Sequence, residues 1–269
     1  MNVNDPYLSG EVLYGEDLPP AEIEQWFESE REGYCRLAHR EGVAYRYSYH
    51  ALNRRHAFDQ LPANINFSRA LGVGSAQGDE FVPIQERVAH ITLLEPGNFS
   101  KSSQLMRPTV EYARPRPDGA FPLAPETFDL IVCFSTLHHI PKVSQAIAEI
   151  FRVLRPGGWA LLREPIISMG DWRQPRFGLT KNERGIPHGL LRRFVIEAGF
   201  QIVYERACCF SLTSRLRVLA GGSAYNSRSV MAIDSVLCWV PFWPTAYHPA
   251  NVLQKLRPTA AAFVLRRES

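Results

Sequence analysis

The segment FDLIVCFSTLHHIPKVSQAIAEIFRVLRPGGWALLRE, residues 128–164, leaves the chain little freedom in how it folds. Its first seven residues are almost wholly apolar, the pattern of a strand buried on both faces of a sheet. Val143, Ala146, Ile147, Ile150, Phe151 and Leu154 then recur at steps of three and four, which predicts an amphipathic helix. Pro156-Gly157-Gly158 stops that helix and turns the chain into a second apolar run at 159–163. A strand, a crossover helix and another strand make a parallel pair, so the segment commits the chain to an α/β architecture.

The same texture recurs elsewhere. Short apolar runs predict strands at 68–73, 90–95, 109–113, 128–134, 159–163, 201–207 and 260–266. HGLLRRFVIEAGF predicts a second helix on Leu190, Leu191, Phe194, Val195 and Ala198, ended by Gly199. The expected organisation is a helical extension or lid at 1–62, an α/β core at 63–210, a helical cap inserted at 211–258, and a last core strand at 259–269. In the extension, Ile23, Trp26, Phe27 and Tyr34 form a stripe on a helix starting near Pro20.

Candidate ligand contacts lie at the ends of the expected strands. In ALGVGSAQG, residues 70–78, Gly72 and Gly74 free the strand end of side chains so that a ligand can approach the backbone, and Gly78 suits close packing of a following helix. Glu95 ends the next strand about 20 residues further on, where a carboxylate can accept both hydroxyls of a ribose. Asp118, beside Gly119 in the turn after the third strand, can accept a proton from an exocyclic amine. Ser135 to His139 follow the buried strand at its carboxyl end, the ligand-binding edge of an open α/β sheet.

Taken in order, the strand, Leu137-His138-His139 and the helix ending Leu-Arg-Pro-Gly-Gly resemble the class I S-adenosylmethionine-dependent methyltransferases of the type 11 domain branch, over roughly residues 66–207. The resemblance implies a Rossmann-like sheet of seven strands, mostly parallel, with helices on both faces and an antiparallel last strand in AAAFVLRRE. It implies S-adenosyl-L-methionine as cofactor, with Gly72, Gly74, Ala76 and Gly78 around its methionine part. Glu95 would take the ribose, Asp118 with Gly119 the adenine amine, and Ser135 and Leu137 the cofactor's edge. It points to His139, and after it His138, as the catalytic base for a hydroxyl acceptor. Two positions depart from the family pattern: Ala70 stands where an acid is usual, and Ala76 where a third glycine is usual. Asp79 is a nearby carboxylate that could replace the missing acid.

For the acceptor, the aromatic C-terminal zone loosely resembles methyltransferases that accompany bacterial glycosyltransferases. The expectation is O-methylation of a sugar hydroxyl in a bacterial glycan or glycolipid. Tyr45, Tyr49 and His50 would form a lid over the acceptor, and Glu164 is a further substrate candidate. A small aromatic or lipid acceptor and a non-catalytic binding protein are the alternatives. A net charge of +3 with scattered arginines argues against nucleic acid. Five cysteines without a CxxC pair argue against a disulfide framework or a structural zinc, so no metal is expected. The N-terminal residues have neither a basic start nor a long apolar core, and a cytoplasmic protein is the expectation. Trp239, Phe242 and Trp243 suit packing of the cap or a homodimer interface, with peripheral membrane contact as the other use.

Overall fold

The computed structural model describes residues 5–40, 47–218, 223–240 and 243–268. Seven strands form one sheet: β1 (Phe67–Val73), β2 (Val88–Leu94), β3 (Thr109–Ala113), β4 (Phe128–Phe134), β5 (Leu154–Pro165), β6 (Gln201–Phe210) and β7 (Pro258–Arg266), in the order β3-β2-β1-β4-β5-β7-β6. The first five are parallel to their neighbours, whereas β7 runs antiparallel to both β5 and β6. This is the α/β fold with a reversed last strand that the sequence led us to expect. The strand order reverses direction between β1 and β4, and that reversal opens a crevice at their carboxyl ends.

Helices α1 (Pro6–Ser9), α2 (Pro20–Arg40) and α3 (His50–His56) precede the sheet; α4 (Val143–Val153), α5 (His188–Glu197) and α6 (Arg228–Trp239) follow β4, β5 and β6. Alternation along the strands assigns them to faces. Leu71 and Val73 pack with Val143, Ile147 and Ile150 of α4 and Leu191 and Val195 of α5. The preceding Ala70 faces the other way, onto Phe81 and Ile84. Further along that second face, Leu52 of α3 and Met231 of α6 pack with Cys208, Ala260 and Ala262.

Two details depart from the sequence reading. First, β5 begins at Leu154, because the Arg155–Gly158 segment is an outward bulge inside the strand and not a separate turn. Pairing jumps from Phe128–Leu154 to Leu130–Trp159, with Gly157 at φ +76°. Second, the segment after the glycine turn, Asp79–Arg87, is a 3-10 helix containing Pro83 and not an α-helix. A proline has no N–H to donate, and its ring crowds a regular helical turn. Within 211–258, α6 is tied to β6 by the buried Asp234, which accepts from the Cys209 and Phe210 amides and the Thr213 hydroxyl. Trp243 packs on Phe210, Trp239 is largely exposed, and Phe242 lies outside the described residues. No helix among the described residues is long and apolar enough to cross a membrane.

Asp129 interrupts the apolar run of β4 for a structural reason. Its carboxylate accepts from the Ser68 and Arg69 amides at 2.6 and 3.0 Å and from the Arg155 guanidinium at 2.8 Å, joining the starts of β1, β4 and β5. Because hydrogen bonds to a charged group are worth about 1.5–3 kcal/mol, Asp129→Ala is expected to cost about 3 kcal/mol in urea unfolding. An unchanged midpoint would show that these bonds do not hold the sheet together.

Candidate active site

The end of β4 is shaped by one carboxylate. Glu164 is fully buried, and its Oε1 accepts from the Thr136 and Leu137 amides at 2.8 and 2.9 Å. Its Oε2 lies 2.8 Å from His138 Nδ1. These bonds fold the chain sharply after Phe134, with Ser135 at φ +57° and a single 3-10 turn at Leu137–His139. The fully buried Arg184 closes the loop from the other side, donating to the carbonyls of His138, Ile140 and Pro141 and to that of Tyr14. Trp26 of α2 donates to the His139 carbonyl at 2.7 Å and stacks under Arg184.

Together the loop, α2 and the ends of β1 and β2 line a hollow with a cavity volume of about 160 Å³. Of the residues singled out in the sequence, Gly74, Glu95, Asp118, Gly119, Ser135 and His139 line it. They come from the ends of β1, β2, β3 and β4. Glu95 is 1% exposed; its Oε1 accepts from the Ala76 amide at 2.6 Å, while its Oε2 is buried with no partner. Burial, with repulsion from Glu80 behind it, pushes its carboxyl up to about 8. Asp118 is exposed, paired with Arg116 at 3.1 Å, and accepts from the Ala120 amide. His139 Nδ1 lies 2.9 Å from Glu30 Oε2, which orients the ring, and burial holds its pKa below the ordinary value.

Other expected residues lie elsewhere. Gly72 does not border the hollow: a Cβ there would collide with Ser75, Leu93 and Phe81, so its smallness serves packing under the turn. Gly78, at φ +81°, likewise meets Leu93 and Leu105. Ala76 adopts φ +50° and serves through its amide. Leu137 is not at the cofactor's edge; its side chain is in the core between the sheet and α4, because Glu164 holds its amide outward. Thr136 lines the hollow in its place. His138 is also behind the wall, between Glu164 and Glu183. Glu164 is not available to a substrate, since its oxygens are taken by the loop. Tyr49 and His50 do not cover the hollow. Tyr49 stacks on Tyr225 and carries the Arg163 guanidinium at 5.1 Å, and His50 starts α3 beside Tyr47. Tyr45 lies outside the described residues. Ala70 is fully buried in the core, and Asp79 does not replace the missing acid at the hollow, because its carboxylate takes the Ser102 hydroxyl.

Sequence reading expected a lid within residues 1–62 but assigned it to Tyr45, Tyr49 and His50 and not to α2. Ile23, Phe27, Glu30 and Arg31 of α2 border the hollow. Ile23 and Phe27 were legible as an apolar stripe, but the surface they cover was not. Glu183 and Arg184 sit in a loop without periodicity, and nothing in their neighbours signals a site.

Comparison with known proteins bears on the domain and its fold. Residues 71–162 match the family model described as Methyltransferase domain, so this part of the chain is a methyltransferase domain. The ubiquinone biosynthesis O-methyltransferase of Pseudomonas fluorescens (strain Pf0-1) is 27% identical over 100 residues. That stretch is 35% of this chain and 43% of the relative, less than half of its length. Among solved structures, an S-adenosylmethionine-dependent methyltransferase from Mesorhizobium loti is similar over 80% of this chain and 97% of its own, with a TM-score of 0.52 and 16% identity. A chain of the complex between the Haloferax volcanii Trm112 methyltransferase activator and a methyltransferase is similar over 92% and 98%, with a TM-score of 0.52 and 11% identity. At such identities the two structures establish a shared fold.

The domain implies S-adenosylmethionine as the cofactor. The residues present fit it at the nucleoside end, where the partnerless Glu95 Oε2 is a buried acceptor in need of donors such as ribose hydroxyls. Those donors favour the ionised carboxylate, so nucleoside binding should release a proton below about pH 8. Affinity for S-adenosylhomocysteine is therefore expected to rise up to roughly tenfold per pH unit between about pH 6.5 and 7.5 and to level off above 8, while Glu95→Gln binds weakly and without that slope. Calorimetry across this range checks it; a pH-independent wild-type affinity would contradict the assignment.

Proposed function

We propose that the protein is an S-adenosylmethionine-dependent O-methyltransferase. The observation that carries this reading is the hollow itself, lined both by the Glu95 acceptor and by the Glu30–His139 pair. The cofactor supplies, when bound, a methyl group already activated on sulfur. The chain's task is then to bind, align and exclude water. Glu95 and the loop at Pro115–Gly119 hold the nucleoside; Gly74, Ser135 and Thr136 border the middle of the cavity; α2 shuts out solvent. His139, with Nδ1 engaged by Glu30, takes the acceptor's hydroxyl proton on Nε2, the arrangement in which a carboxylate fixes the imidazole for base catalysis.

For the acceptor we retain a sugar hydroxyl of a bacterial glycan or glycolipid, supported by Arg31, Arg116 and Lys142 among the residues that line the hollow. A small aromatic hydroxyl is the second reading. It is favoured by Ile23 and Phe27 on the roof and by the name of the curated relative. Incubation with labelled cofactor and a panel of nucleotide sugars, glycans and phenols, read by mass spectrometry, decides between them. A methyl group on a hydroxyl is the expected product; methylation confined to nitrogen or carbon would overturn the reading. His139→Ala should lower kcat about 10²–10⁴-fold with cofactor affinity near that of the wild type. Loss of cofactor binding in that variant would instead make the ring a wall of the cofactor site.

A further inference from the structure

The two histidines meet a third side chain brought from a distant part of the chain. One ring nitrogen of His138, one of His139 and one carboxylate oxygen of Glu183 lie within 4.8 Å of one another. His138 Nδ1 is engaged by Glu164 at 2.8 Å, so Nε2 is the nitrogen turned toward Glu183, whose Oε1 is 3.6 Å away. That gap is too long for a good hydrogen bond. It is close to the separation of about 3.3–3.4 Å between two ligands that each sit about 2.0–2.1 Å from one tetrahedral ion. The surroundings are built to match. A histidine that binds metal through one nitrogen usually gives its other N–H to a carboxylate, as His138 does to Glu164. Glu183 is held from behind by the Thr180 amide at 3.0 Å, and His139 Nδ1 has Glu30 at 2.9 Å and the Thr180 hydroxyl at 3.4 Å. His138 and Glu183 are both more than nine-tenths buried.

We propose that His138 Nε2, His139 and Glu183 hold one first-row divalent cation of the zinc type, with Glu164 and Glu30 as the outer carboxylates. Two imidazoles and a carboxylate suit zinc, cobalt(II) and iron(II) more than magnesium or calcium, which prefer all-oxygen sites. The ion would lie in the wall of the hollow, because His139 borders it. Cysteine spacing had pointed to no metal, and it could not reveal a site whose carboxylate is supplied by the loop before α5. The inference is separate from the methyl-transfer reading, and its test uses neither cofactor nor acceptor. With Nδ1 engaged by Glu30, His139 would bind the ion through Nε2, so the ring serves as hydroxyl base only in the metal-free protein.

The test is titration of the tag-free, chelator-stripped full chain with cobalt(II), followed by its visible absorption bands, and with zinc, followed by metal content after gel filtration. One equivalent is expected to bind. Glu183→Gln, which removes a ligand, should weaken binding by at least about 100-fold, and Glu30→Gln, which removes a supporting contact, by about tenfold, with circular dichroism confirming that both variants fold. A wild-type chain that retains neither metal at micromolar concentration overturns the proposal, as does unchanged affinity in Glu183→Gln. Should that variant not fold, anomalous scattering from zinc-soaked wild-type crystals decides. A peak among the three side chains supports the site, and a peak elsewhere or none overturns it.

Discussion

A carboxylate that never meets solvent organises the working edge of this protein. Burying an ion costs several kcal/mol unless its lone pairs are taken up, and Glu164 meets that condition by collecting the Thr136 and Leu137 amides together with the His138 ring. The bonds are available only if the chain reverses at Ser135, which drives Leu137 into the core and leaves Thr136 and His139 on the cavity side. Arg184 repeats the logic with opposite charge: its planar group forks onto four carbonyls of the same loop and the N-terminal segment, a pattern that a lysine could not reproduce. Both charges are internal, and the site they frame is correspondingly fixed.

How far this was legible in the sequence depends on the range of the forces involved. The strands and the helices α4 and α5 are written in local periodicity, whereas the seven-stranded sheet with its reversed last strand was implied by the resemblance to the methyltransferases. Glu95, Gly74, Asp118, Ser135 and His139 were legible because strand ends in such a sheet converge on one edge. Gly72 and Leu137 were misread for a shared reason. Neither a glycine at a strand end nor a leucine in a loop announces what it packs against, and here Ser75 and Glu164 respectively decide. The lid expected from Tyr49 and His50 failed because α3 docks on β7 and α6, leaving α2 to cover the cavity. Partners more than a hundred residues apart, such as Glu30 with His139, lie beyond any pattern a single sequence displays.

The departure at Ala70 also has a physical reading. That position packs against Phe81 and Ile84 on the far face of the sheet, so an acid there would be buried without a partner. Behind the glycine turn the chain instead buries Glu80, whose carboxyl is pushed up to about 7 chiefly by burial, and which in turn helps to raise Glu95. Both shifts hold negative charge back from this edge of the cavity, and hydrogen-bond donors on a bound ligand would favour the ionised Glu95.

The most direct measurement is a crystal structure of the protein with S-adenosylhomocysteine. The account predicts both ribose hydroxyls within hydrogen-bonding distance of the Glu95 carboxylate, the base beside Asp118 and Gly119, and the sulfur directed toward His139. A nucleoside bound away from β1 and β2, or a Glu95 that keeps a partnerless oxygen with the ligand in place, would contradict it.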